Sequence, residues 1–280
     1  MARYTASRIL KRSLLYLSAV VICSFALIPI LWGLSTALKT QHLIYKFPPE
    51  WIPRPVTFDN FSKIITSSEM PRYFLNTAII ATGSVSISLV IGILAAYGFS
   101  RYRFPGAKTL LWSILFTRIL PRVTLIVPFY ITLRHLHLLN TYPGLILIYL
   151  MVVMPISVWL LKGFFDNVPY EIEEAAIVDG CSPMGLLVKI ILPISLPAVA
   201  AVGMYTFILA WNEFLFALLV TTDSKTRTIS VALAFFIDEA GIHWGPLMAA
   251  SILMSIPAII VFSLSQNLLV KGLSEGAVKG

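Results

Sequence analysis

Two arginines, Arg118 and Arg122, stand four residues apart in a stretch otherwise dominated by Leu, Ile, Phe and Val. On a continuous helix that spacing puts both on one face, and Pro121 between them can bend the helix and bare its carbonyls. Each guanidinium in such surroundings costs about 2.5 to 3.5 kcal/mol on insertion scales unless water, a counter-ion or a cavity receives it. Glu213, which forms a polar pair with Asn212 in a second apolar stretch, or a carboxylate of another chain could supply that counter-ion. Two readings stand: the arginines line a pathway or hold a gate for a polar solute, or they make a structural ion pair between helices. Tyr205 and Trp211 could stack on a solute, although packing is the commoner use of such rings.

Bond-breaking chemistry finds no comparable support. The phosphate-cradling pattern G-x-x-x-x-G-K-[ST] is absent, its nearest approach at 33–40 carrying Leu38 where the second glycine must stand. HExxH, CxxC and GxSxG are absent as well. His135-x-His137 could hold a metal, but solvation at an interface accounts for it more simply, and no metal site is assigned. Cys23 and Cys181 fall in separate environments and form no disulfide framework. No catalytic residue is assigned, and no cofactor is expected in this chain.

The elements that position these residues are dictated by apolarity. The chain has 280 residues, 58% hydrophobic and 12% charged, with a mean hydropathy of +0.86. Charged residues make up about 25% of a soluble domain, so the solvent here is a bilayer. Six windows, 14–34, 76–99, 110–131, 145–165, 197–220 and 246–270, each have the length of about 20 residues that spans hydrocarbon. A lipid-exposed backbone must satisfy its own polar groups and none of these windows alternates like a barrel strand, so each is expected to be a helix. The fold class predicted is an all-α integral membrane protein with six transmembrane helices.

Charge then orients it. With both termini inside, eleven cations, among them Arg3, Arg8, Lys11, Arg12, Arg101, Arg103 and Lys108, face the cytoplasm against eight outside. Four of the eleven crowd the first twelve residues, so density favours that orientation. The net charge of +8 is a topology signal and an attraction to anionic lipid, not a nucleic-acid surface. This divides the chain into an inner N-terminus 1–13, a first span 14–34, an outer loop 35–75, a five-helix core 76–270 with an inner loop at 166–196, and an inner tail 271–280. The first apolar run is too long for a signal peptide and reads as a retained anchor.

The outer loop holds KFPPEWIPRPVTFDNFSKI, whose prolines enforce extended backbone, and is expected to form an ordered cap with a short helix after Asp59. Thr82, Gly83, Ser84, Ser86, Ser88 and Gly92 in the second span are small enough to let helices approach closely. A second outer loop, 221–245, carries Asp223, Lys225, Arg227, Asp238 and Glu239 and is solvated whatever else it does.

The inner loop is more patterned than a connection requires. Asp166 or Asn167 can cap a helix, Pro169 suits its first turn, and Glu171, Glu173 and Glu174 put negative charge at its positive end. Gly180 can end it in the left-handed conformation, and Ser182 with Pro183 starts a second short helix. The face Ile172, Ala175, Ala176 and Asp179 is narrow, with alanines at its centre. Such a helix could dock in a groove of another protein or lie on the membrane surface.

Glu174-Ala175-Ala176, three residues, Gly180, nine residues, then Ile190, one residue and Leu192-Pro193 resembles the complete EAA motif of binding-protein-dependent ABC importer permeases. The similarity runs over nearly the whole chain toward the smaller permease subunit of maltose-type sugar importers. It is carried also by FLNTAIIA at 74–81, AAYGFSRYRFPG at 95–106, LLNTYPGLIL at 138–147, AWNEF at 210–214 and GLSEGAVKG at 272–280. The resemblance implies a type I, MetI-like permease core that pairs with a second homologous permease, two ATPase subunits and an extracytoplasmic solute-binding protein. ATP and Mg would then reside in the ATPase, and the EAA loop would form a coupling helix seated against it. By resemblance, Glu173, Glu174, Ala175, Ala176, Asp179, Gly180, Ile190, Leu192 and Pro193 carry that contact. Gly276, Ala277, Val278, Lys279 and Gly280 would reach the ATPase through the tail, and 240–245 would meet the binding protein. The function implied is a permease subunit for import of a sugar or oligosaccharide by alternating access. The alternatives are import of a polyol or glycerophosphate, or a membrane enzyme or channel.

Overall fold

The computed structural model describes the backbone of residues 2–239 and 241–277 and the side chains of 11–239 and 241–266. The described residues fall into two compact units, one within Met1–Ser67 and Phe235–Ser255, the other within Ser68–Ala234 and Ile256–Gly280.

The first unit begins with α1, Ala2–Ala37, whose apolar part from Lys11 is long enough to cross a bilayer and has none of its most apolar window buried. A helix apolar on every face and exposed on every face needs lipid as its solvent. After it the prolines keep the chain extended, and the loop folds back: Ser35 Oγ donates to the Trp51 carbonyl at 2.6 Å, and Thr57 N donates to the Leu38 carbonyl at 3.0 Å. Trp51 meets Trp32 edge to face at 4.9 Å, and the Lys39 ammonium lies 4.2 Å from the Trp32 ring centroid. Burial pushes the Lys39 ammonium below the usual lysine range. Helix α2, Asp59–Thr66, follows Asp59 as the sequence predicts. Its Asn60 Nδ2 donates to the carbonyls of Ala37 and Lys39, both at 2.9 Å. A two-residue hairpin, β1 Ile237–Asp238 with β2 Gly241–Ile242, carries a His243–Asp238 contact of 2.9 Å.

The second unit is organised on two long helices, α3 (Met70–Arg101) and α6 (Tyr142–Asp166). Small residues allow their close approach: Ser88 and Ser157 share a hydroxyl hydrogen bond of 2.8 Å, and a Cβ at Gly92 would stand 3.1 Å from that of Ser157. Of the small residues expected to pack, Ser84, Ser88 and Gly92 are buried, whereas Thr82 and Ser86 are exposed.

The window 110–131, expected as one helix, is two: α4 (Ala107–Phe116) and α5 (Arg122–His135). Pro121 lacks an N–H and disfavours helical backbone at the residue before it, so α4 closes with short-range bonds from Arg118 N to Leu115 O and Ile119 N to Phe116 O. The expected shared helical face of Arg118 and Arg122 is corrected by this break. The window 197–220 is likewise divided. After α7 (Tyr170–Val178) and α8 (Pro183–Ile194) come α9 (Leu196–Trp211) and α10 (Leu215–Val220), with a break at 212–214. Helix α11 (Ile229–Ala234) and the terminal α12 (Trp244–Ala277) complete the chain.

By length and apolarity, α1, α3, α6 and α12 can each cross a bilayer. Helices α8 and α9, bent by 78°, make a fifth if read as one span.

Two asparagines, Asn76 of α3 and Asn140 before α6, hold the second unit's connections. Asn76 Nδ2 donates to the carbonyls of Lys225 at 3.0 Å and Arg227 at 2.8 Å while its Oδ1 accepts from the Tyr142 hydroxyl at 2.7 Å. Asn140, at φ 54°, accepts from Thr222 N at 2.7 Å. Gly144 is required where α6 starts, because a Cβ there would stand 2.1 Å from the Leu138 carbonyl oxygen. These contacts give a physical reason for the asparagines and glycine of FLNTAIIA and LLNTYPGLIL.

Candidate functional site

The loop 166–196 is an elbow of two helices joined at Gly180. Helix α7 starts after Pro169, which is its N-cap, rather than after Asp166 or Asn167; Asp166 is the last residue of α6, so the expected cap is corrected. It ends as the sequence predicts: Gly180 has φ 81°, Gly180 N donates to Ile177 O at 2.9 Å, and Cys181 N donates to Ala176 O at 2.9 Å. These two bonds close the last turn and satisfy carbonyls that a frayed end would leave to water. Ser182 Oγ then accepts from Gly185 N at 3.2 Å and starts α8.

The elbow is bolted down on one side. Ala176, Cys181 and Ile190 pack against a cluster formed by Ala96, Tyr97, Leu161, Phe165, Leu186, Leu187, Ile191 and Val202. Glu173 also turns inward, 4% exposed, and pairs with Arg101. The residues assigned to docking therefore separate. Glu174, Ala175, Asp179 and Gly180 are exposed, Ile172 is 41% exposed and Val178 86%. Glu173 and Ala176 face the chain's own core, Leu192 is half-buried, and Pro193 is exposed. A helix with its back fixed and apolar side chains exposed can meet either a partner protein or the membrane surface.

Arg118 and Arg122 meet again at a cavity of about 560 Å³, lined chiefly by apolar residues of α4, α5 and α6 with Phe216 of α10. Arg118 Nη1 donates to the Val152 carbonyl at 2.7 Å, in the turn of α6 weakened by Pro155. Among the described residues neither arginine forms an ion pair with a carboxylate.

Glu213, expected as their counter-ion, lies within electrostatic reach of Arg122 without forming an ion pair, and has a second task. Its Oε1 accepts from Phe216 N at 3.0 Å, capping the restarted helix α10, and the side chain is buried. Asn212 Nδ2 donates back to the Ile208 carbonyl at 2.9 Å. Trp211 is 2% exposed and stacks on Phe207 at 5.5 Å, which removes its face from any solute; Tyr205, 45% exposed, keeps its own.

Gly276 and Ala277 continue the backbone of α12, whereas Val278, Lys279, Gly280 and, in the outer loop, Ala240 lie outside the described residues. The functional reading of the sequence passed over Arg101, Asn76 and Asn140. All three lie within motifs quoted above, but Arg101 gives no local sign of its partner, 72 residues away.

Comparison with known proteins places this arrangement. The profile of the family described as binding-protein-dependent transport system inner membrane component matches residues 88–275. The chain is 33% identical over 263 residues to a diacetylchitobiose uptake system permease of Streptomyces coelicolor, covering 94% of this chain and 95% of the relative. It is 34% identical over 275 residues to a trehalose/maltose transport system permease of Thermococcus litoralis, covering 97% and 98%. Its fold matches a chain of a bacterial ABC transporter involved in the import of alginate, with a TM-score of 0.77 at 22% identity over 91% of this chain and 96% of that one.

Proposed function

This chain belongs to the binding-protein-dependent transport system inner membrane component family, and from that premise we propose that it carries a sugar or oligosaccharide through the membrane as one permease of a pair. It is a multi-pass membrane protein with a MetI-like ABC importer permease fold, and it is a transport subunit. The two relatives, permeases for diacetylchitobiose and for trehalose or maltose, support a saccharide over a polyol or glycerophosphate.

The finer arrangement follows from the same premise. Six spans put both termini in the cytoplasm, with α4 and α5 forming one broken span and α9 with α10 another. The elbow at α7 is the coupling helix, held against one of two partner ATPase subunits that bind ATP and Mg. A second permease closes the other half of the pathway, and the tail 276–280 reaches the ATPase pair. The outer loop 221–245 meets the solute-binding protein. Alternating access then follows when ATPase closure displaces the elbow and rocks the helices attached to it. The cavity with Arg118 and Arg122 lies on the pathway, because guanidinium groups facing hydrocarbon would be left unsolvated. Tyr205 and the Asn212–Glu213 break belong to the same route.

The observation that carries this reading is the elbow: a helix whose back is packed and whose exposed side offers Ile172, Ala175 and Val178 beside acidic Glu174. Purified gently from its own membranes, the chain should bring down an ATPase and a second permease. The reconstituted complex should take up at least one radiolabelled saccharide, with the chitin disaccharide, trehalose and maltose tried first. An intact, inserted chain that brings down no ATPase would sink the reading. A complex that carries polyols and no saccharide would overturn the substrate class alone.

A further inference from the structure

Arg101 is the last residue of α3, and its guanidinium is spent entirely inside the protein. Nε donates to Glu173 Oε1 at 2.5 Å and Nη2 pairs with the same oxygen. Nη2 also donates to the carbonyl of Phe165 at 2.9 Å, near the end of α6, and to that of Val168 at 3.2 Å. Nη1 donates to Ser100 Oγ at 2.7 Å, and the guanidinium carbon lies 4.6 Å from the centroid of Tyr170, the first residue of α7. The side chains of Arg101 and Glu173 are each only 5% exposed.

Only a planar fork of donors can satisfy a carboxylate and two carbonyls from one side chain; an ammonium is a point charge on a flexible stem. The cation also sits where the carbonyl ends of α3 and α6 converge, which favours positive charge. A single residue thus joins three elements: the inner ends of two long helices and the first turn of the elbow.

We propose that Arg101 is the positioning residue that makes the elbow and the inner ends of α3 and α6 move as one body, so that displacement of α7 is delivered to these two helices and not absorbed in the loop. The proposal rests on the importer reading above. Its role differs from docking: on α7 Arg101 meets the buried Glu173 and the ring of Tyr170, not Ile172, Glu174, Ala175 or Val178, so removing it spoils transmission while leaving those exposed side chains in place.

The test uses the reconstituted complex of both permeases, ATPase and binding protein. Arg101→Ala and Glu173→Gln should retain ATPase binding and ATP hydrolysis, while solute transported per ATP falls about tenfold or more, within the range typical of coupling between sites. Arg101→Lys, which keeps charge but not the fork, should fall between them and the parent. Amide hydrogen exchange across 170–178 should rise in Arg101→Ala, and the middle of α3 should stay protected. If Arg101→Ala fails to assemble, Arg101→Lys and Glu173→Gln decide the matter by the same ratio. Variants that transport the parental amount per ATP overturn the proposal, whatever their exchange rates. Variants whose transport and ATPase binding fall together also overturn it, since that marks a merely structural residue. A parent complex that binds no ATPase contradicts the importer reading itself, and with it the role in transmission, even where exchange shows the tie intact.

Discussion

The second unit is fastened at the segment 220–229 and at its elbow by different means. Asn76, Thr77 and Asn140 hold the segment 220–229 through neutral hydrogen bonds, including 2.9 Å from Ile229 N to Thr77 Oγ1. At the elbow one buried guanidinium, beside the apolar cluster, supplies the charged fastening. Neutral bonds contribute about 0.5 to 1.5 kcal/mol each and several share the outer fastening, so that end fails gradually. A buried ion pair is expensive to desolvate and more expensive to halve, so the elbow fails abruptly. Sharing suits a surface that must hold its shape; concentration suits a joint that must transmit force as a unit.

This contrast can be broken at its strong end first. Glu173→Leu, which strands Arg101 without its carboxylate, should lower stability in detergent by about 3 to 5 kcal/mol, read as a fall in the unfolding midpoint. The double variant Arg101→Met with Glu173→Leu should regain most of that stability but not the transport ratio, because an apolar pair packs without tying α3 and α6 to α7. At the outer connection, Asn76→Ala leaves two carbonyls and the Tyr142 hydroxyl without their partner, and should cost about 1 to 3 kcal/mol by the same measurement. The smallest effect belongs to Gly180→Ala. Nothing lies within 4 Å of a Cβ there, so only the left-handed backbone at φ 81° resists, at about 1 to 2 kcal/mol, and Gly180→Asn should cost less.

Much of the elbow was legible because its signals are local. Gly180, Ser182 and the small residues of α3 each act within a turn or a helix contact, where spacing alone fixes the geometry. What escaped reading depends on distant contacts. Arg101 counted as a cation marking the inner side and as part of a motif of resemblance, since nothing near it in sequence shows a carboxylate 72 residues on. Glu173 was grouped with its neighbours as a docking residue, yet it lies three residues before Ala176 on the helix, the spacing that turns both toward the core. A proline signals a bend or a break alike, so Pro121 did not reveal that α4 would stop five residues early and leave Arg118 in the turn. Glu213 looked like a counter-ion because nothing announced that α9 would end at Trp211 and need a new cap beyond it.

The central claim is tested most directly at Val178, the most exposed apolar side chain of α7. A photo-reactive amino acid placed there and activated in the assembled complex should yield a covalent adduct with the ATPase subunit, more strongly when ATP is present. Adducts with lipid alone, or with none but the second permease, would contradict the account.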